Sequence, residues 1–261
     1  MPADTIPRDR YGRPLVEGVP YTRVSTLAKV FDDTTNLTAW LQRELVKGLG
    51  GRHDLVALAR SSGNDKRALD DIVQQAMVGS LEKANIGTAL HTFTEILDDG
   101  GAPDVPTEYL ADIQAYTRAT AGLTPVLSEG FVRVDEIQSA GSFDRIWDTP
   151  NGRMVGDLKT GQWADKPAYQ HAIAMQLAIY AHGDLWEWET GTRTPLPEGT
   201  RKDVGLLVHM PAGKGKCSLI ELDLEEAWDW VLKAIEVRAW KKTKVGRPVD
   251  YAASTITVGG N

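Results

Sequence analysis

The segment from Ala140-Gly-Ser-Phe-Asp144 to Val155-Gly-Asp157-Leu-Lys159-Thr-Gly161 constrains this chain more than any other, because it reads as one β-hairpin with two acids brought face to face. Between the acids lies Thr149-Pro150-Asn151-Gly152, with Pro, Asn and Gly in the order a tight turn prefers. If Thr149 and Gly152 close that turn as a pair, Asp148 meets Arg153, Ile146 meets Val155, and Asp144 falls opposite Asp157. Directly opposed residues have Cβ atoms about 4.5–5.5 Å apart, so two carboxylates there oppose folding until a cation neutralises them. Lys159, two residues beyond Asp157, shares its face while Leu158 turns to the other. A left-handed Gly152 would instead form a bulge and shift the register by one, separating the acids. We read the chain in the unshifted register.

Composition bounds what such a hairpin belongs to. The chain has 261 residues, 42% hydrophobic and 25% charged, enough for one elaborated domain or two small ones with an ordinary globular core. No apolar run approaches a membrane span, and the opening MPADTIPRDRYGRP lacks the apolar stretch of a signal peptide, so a cytoplasmic location in a bacterial or phage-infected host and no membrane partner are expected. A single cysteine, Cys217, excludes an internal disulfide and any cysteine-held zinc or iron–sulfur site. The net charge of −7 argues against a sequence-independent nucleic-acid coat but not against a nuclease, because acids that hold a metal reverse their local field once the cation binds. A compact basic run, Arg238 to Arg247 with Lys241, Lys242 and Lys244, is either a DNA contact or a solvated helix end whose cations favour the helix dipole.

Helical periodicity fills the first third. Ser25 is placed to cap a short helix through Leu27 and Val30, and Asn36 one through Leu37, Trp40, Leu41 and Leu45 that ends at Gly48 to Gly51. Asn64 precedes DKRALDDIVQQAMVGS, SLEKANIGTALHTFTEILDDGG is an amphipathic helix stopped by Gly100 and Gly101, and Thr107 caps another. PVLSEGFVRV, SAGSFDRIW and GRMVGDLKT then read as three successive strands, followed by a helix from about Pro167 to His182. DVGLLVHM and CSLIELDL read as two further strands, and Asp223 caps a last helix. This divides the chain into a helical region (1–79), a mixed α/β core with its C-terminal helix (80–245) and a patternless tail (246–261).

Four motifs stand in order: Gly87-Thr-Ala-Leu-His91, Gly141-Ser-Phe-Asp144, Asp157-Leu-Lys159 and Gln176-Leu-Ala-Ile-Tyr180. With helix, three strands, helix and strand around them, residues 80–210 resemble the PD-(D/E)XK nuclease superfamily, and in particular its RecB-like branch of bacterial recombination nucleases, CRISPR-associated exonucleases and phage exonucleases. The resemblance implies a restriction-endonuclease-like core, a central mixed sheet flanked by helices. It implies that His91, Asp144, Asp157 and the Leu158 carbonyl hold one or two Mg²⁺ or Mn²⁺ ions. Lys159 would orient or activate the attacking water, and Gln176 and Tyr180 would line the site. Several relatives clamp their termini with a four-cysteine iron–sulfur cluster, which this chain cannot build.

The chemistry also follows from the residue types. Phosphodiester hydrolysis needs a nucleophilic water, charge neutralisation on the phosphate and relief for the leaving oxygen, all of which a hard divalent cation on oxygen ligands supplies; an imidazole ligand tilts the preference towards Mn²⁺. Blander readings stand beside this one. His91 could hydrogen-bond Glu95 one turn on, Asp144 beside Arg145 and Asp157 near Lys159 could be surface ion pairs worth little, and Gln176 and Tyr180 could sit at the core edge. Glu129 is either a further carboxylate of the site or a solvent-facing acid, and Trp240 either packs the last helix or stacks on a base. His171 and His209 have no evident partner. The expectation is a metal-dependent exonuclease that trims double-stranded DNA ends, with a single-strand annealing protein as its partner. A structure-selective endonuclease, an RNA-directed nuclease and a catalytically silent DNA-binding protein are the alternatives, and oligomeric state is not readable.

Overall fold

The computed structural model describes residues 6–248, so residues 249–261 of the tail lie outside the described residues. Three two-residue strands, β1 (Leu15–Val16), β2 (Val19–Pro20) and β3 (Thr22–Arg23), lead into helices α1 (Val24–Ala28), α2 (Thr35–Leu49), α3 (His53–Ser61), α4 (Lys66–Ala76), α5 (Val78–Asp98) and α6 (Leu110–Thr120). There follow β4 (Thr124–Ser128), β5 (Phe131–Val134), β6 (Ser139–Ser142), β7 (Arg145–Thr149), β8 (Gly152–Lys159), α7 (Pro167–Ala181), β9 (Asp184–Glu187), β10 (Thr192–Pro195), β11 (Val204–His209), β12 (Ser218–Asp223) and α8 (Leu224–Trp240).

Helix starts follow side-chain chemistry only in part. Asp223 caps α8 as expected, its carboxylate accepting from the Glu225 and Glu226 amides. The cap of α4 is Asp65, not Asn64. Ser25 and Asn36 lie inside the first turns of α1 and α2, which begin at Val24 and Thr35. Thr107 opens a short 3-10 turn ahead of α6, with no side-chain cap.

Two five-stranded mixed sheets form, in the orders β10-β9-β5-β6-β3 and β12-β11-β8-β7-β4, flanked by helices in the manner of a restriction-endonuclease-like core. Two expected strands are therefore four. PVLSEGFVRV divides into β4 and β5 at Glu129, whose φ is +50°, and SAGSFDRIW divides into β6 and β7 at Phe143 and Asp144. The two breaks lie side by side: the Glu129 amide donates to the Asp144 carbonyl (2.8 Å) and the Phe143 amide to the Gly130 carbonyl (2.9 Å). Here the chain passes from one sheet to the other, and Phe143 packs where any Cβ on Gly130 would lie 2.2 Å from its ring.

The second sheet is covered on both faces. Ile146, Val155 and Leu207 face α7, in a core that also takes Val24, Leu27 and Ala28 from the N-terminal segment. Trp147, Met154, Leu158, Leu206 and Val208 face the other way, against Leu90 of α5 and Ile113 and Tyr116 of α6. Alternation along β8 assigns Leu158 to the α5 side and Asp157 with Lys159 to the α7 side. No helix among the described residues is long and apolar enough to cross a membrane.

Candidate active site

The hairpin holds the unshifted register: Thr149 pairs with Gly152, Asp148 with Arg153, Ile146 with Val155, and Arg145 with Gly156. Gly152 does adopt a positive φ (+113°), but no bulge follows. The Thr149 hydroxyl stabilises the turn, accepting from the Asn151 amide (3.0 Å) and donating to the Gly152 carbonyl (2.9 Å).

One expectation needs correction. Asp144 does not pair with Asp157, because β7 begins at Arg145 and Asp144 sits in the bend where the chain changes sheets. Its Oδ2 reaches across to accept from the Leu158 amide (2.8 Å). In an extended strand the N–H and C=O of one residue point to the same edge, so the Leu158 carbonyl is directed to the edge that Asp144 caps. Leaving the ladder has a consequence for reach. A paired Asp144 would face α7, whereas in the bend ahead of β7 it also meets α5, and His91 brings Nδ1 to 3.4 Å from Asp144 Oδ2.

Asp144 is fixed from behind. Its carbonyl accepts from Arg145 Nη1 (2.7 Å) as well as from Glu129. Arg145 is not a surface partner. Its guanidinium is buried, and its Nε donates to Asp98 Oδ2 of α5 (2.9 Å), which also accepts from the Tyr116 hydroxyl (2.6 Å). Charge-assisted bonds of this kind are about twice as strong as neutral ones. Sequence reading missed Arg145 and Asp98 as positioning residues. The available signal was the alternation, which turns Arg145 to the opposite face from the acids.

Asp157 is 2% exposed. Burial pushes its carboxyl up to about 6, with Lys159 opposing and Asp144 adding to the rise. Lys159 forms an ion pair with Asp157 Oδ2. Burial works against the ammonium, but the charges of Asp157 and Asp144 overcome it and hold Lys159 above its usual range, so the side chain is a cation rather than a base. Gln176 of α7 donates to Asp157 Oδ1 (3.0 Å), and its Nε2 lies 3.3 Å from the Tyr180 hydroxyl. Burial raises the Tyr180 hydroxyl, and the two acids add to the effect, so it stays protonated. Four helical residues apart, Gln176 and Tyr180 share a face and line this side of the site.

α5 approaches closely because its motif begins with glycine: a Cβ on Gly87 would lie 3.0 Å from the Thr160 hydroxyl, just past Lys159. His209, unassigned from sequence, lies beside Lys159 in the parallel pairing of β8 with β11, and its Nε2–H donates to the Gly161 carbonyl (2.8 Å). Lys241, Lys242 and Lys244 follow the end of α8 as exposed residues, and Trp240 is exposed beside them.

Among the described residues no three His, Cys, Asp or Glu side chains close into a complete ligand set, and the Lys159 ammonium lies against Asp157. The donors nonetheless suit a hard cation. Asp157 Oδ2 is buried with no properly directed hydrogen bond, and Asp144 and the Leu158 carbonyl edge add further oxygens. No curated protein matches this chain. The family model of the PD-(D/E)XK nuclease superfamily matches residues 51–183, about half of the chain, and spans His91, Asp144, Asp157, Lys159, Gln176 and Tyr180. With its sheets, helices and acidic hairpin arranged in this way, the chain belongs to the PD-(D/E)XK nuclease superfamily.

Proposed function

We propose that this nuclease is a Mg²⁺- or Mn²⁺-dependent exonuclease of the RecB-like kind, which hydrolyses double-stranded DNA from its ends and hands the exposed strand to a single-strand annealing protein in the cytoplasm. The observation that carries the hydrolytic part is the buried Asp157, with an oxygen lacking a directed hydrogen bond, in the field of Asp144 and against a cationic lysine. The end-directed part rests on the likeness of the four motifs to that branch.

His91, Asp144, Asp157 and the Leu158 carbonyl would hold the metal. When bound, it would neutralise charge on the phosphate and acidify a water for attack. Lys159, kept protonated by the two acids, would orient that water and stabilise negative charge developing on the phosphate. Gln176 holds Asp157 through Oδ1, and Arg145 with the Glu129 amide holds Asp144. Preorganised donors of this kind cost no rearrangement at the moment of reaction. The helical layer α2–α4 covers or steers the substrate, a role supported by its place in the chain before the catalytic helix α5.

Linear and closed circular duplexes, offered with Mn²⁺ and then with EDTA, test both parts. Loss of the linear duplex alone, abolished by EDTA, is the expected result. Equal attack on closed circles would remove the end requirement, and activity in EDTA would remove the metal.

A further inference from the structure

A groove of about 560 Å³ opens at the carboxyl end of β11 and the amino end of β12, lined among others by Arg118 of α6, Asp165, His209, Lys216 and Cys217. Its wall is tied to the catalytic strand. The Lys159 carbonyl accepts from the Met210 amide (2.9 Å) and the Thr160 carbonyl from the Ala212 amide (3.0 Å), so the loop after β11 continues the ladder that carries Asp157 and Lys159.

That loop reads Pro211-Ala-Gly-Lys-Gly-Lys216, and it is held from beneath by one side chain. Asp112 of α6 is fully buried, and its two carboxylate oxygens accept from the amides of Gly213 and Gly215, each at 2.6 Å. Both glycines have positive φ (+72° and +59°), a conformation that side-chain-bearing residues rarely adopt. A buried carboxylate bonded only to backbone amides costs desolvation, which the two charge-assisted bonds offset. The result is a fixed turn with Lys214 and Lys216 exposed on it and Arg118 exposed on the adjoining helix. On the groove's lining, Asp165 Oδ1 is buried with no hydrogen-bond donor, while its Oδ2 pairs with Lys166 (3.5 Å).

We infer that this groove is the track for the nucleic-acid strand leaving the catalytic acids, with Arg118, Lys214 and Lys216 meeting its backbone phosphates. The inference rests on the nuclease reading and deepens it. Nucleic acid bound at Asp157 and Lys159 finds the groove one strand over, at His209, and the three cations supply repeated phosphate neutralisation on a chain of net charge −7. Asp165 Oδ1 is left to accept from a sugar hydroxyl or base amino group. The basic run Lys241 to Lys244 is the competing surface.

Binding of a fluorescent single-stranded oligonucleotide, measured in EDTA over a salt series, tests this. Each phosphate contact on a single strand contributes about 0.7 to the log–log salt slope, so Arg118→Ala/Lys214→Ala/Lys216→Ala should lower the slope by ~2. Between 50 and 200 mM salt the wild-type protein should then lose roughly 15–20-fold more affinity than the variant. Mn²⁺-dependent hydrolysis of bis(p-nitrophenyl) phosphate, too small to use the groove, should be equal in both proteins. An unchanged slope, a slope lost instead in Lys241→Ala/Lys242→Ala/Lys244→Ala, failure of the wild-type protein to bind the oligonucleotide, or loss of small-diester hydrolysis in the groove variant overturns the groove. Failure of the wild-type protein to hydrolyse either the diester or DNA overturns the nuclease reading instead.

Discussion

The sheet that carries Asp157 and the N-terminal layer α2–α4 are held by different amounts of apolar surface. β8 buries Met154, Val155, Asp157 and Leu158 between α7 and α5. Among the described residues α2 contributes no buried residue, and the cluster within the layer has Leu55, Ile72 and Ala76 as its buried members. Local stability follows buried apolar contact. The candidate catalytic residues therefore sit on the more heavily packed part of the molecule, and α2–α4 form a part with few buried apolar contacts.

The largest effect that sharpens this contrast is chemical. Asp144→Ala should reduce cleavage by at least ~10²–10³-fold while leaving the far-ultraviolet spectrum intact; retained cleavage would move the chemistry elsewhere. Next comes the core. Leu177→Ala, at a fully buried position of α7, should cost about 2–5 kcal/mol and lower the main thermal transition.

Leu55→Ala should leave that transition nearly unmoved, speed amide exchange in α2–α4 alone, and weaken DNA binding without slowing bis(p-nitrophenyl) phosphate hydrolysis. A single shared transition, lowered equally by both variants, would break the comparison. The smallest effect is at the back of α7. His182 stacks on Trp228 with ring centroids 4.0 Å apart, and burial holds its imidazole below its usual value of 6.5. The unfolded chain therefore binds the proton more readily, so stability should be full above the unfolded value and decline as pH falls towards the folded one. His182→Gln should flatten that decline in denaturant titrations at pH 7 and pH 5, and an unchanged pH dependence would assign it to other groups.

The hairpin was legible because its register is fixed by neighbouring residues: a turn of strong chemistry and two supporting pairs, Ile146 with Val155 and Asp148 with Arg153. The motif positions on α5, β8 and α7 followed from periods of 3.6 and 2. What local pattern does not carry is tertiary. The split at Glu129 and Gly130 depends on Phe143 filling the space between sheets. β9 and β10 escaped notice, as did α3. β10 is exposed throughout and shows no buried alternation to read. The link from β3 and α1 into the main core joins residues far apart in sequence, Thr22 with Ser139 and Val24 with α7, a pairing no local pattern displays.

Because Asp144 hangs from the joint between two sheets while Asp157 belongs to one of them, the gap between the acids is an angular reading of how those sheets meet. Phe143 is the wedge in that joint. Trimming or enlarging it would tilt one sheet against the other, so a purely apolar position governs how far apart the two carboxylates stand.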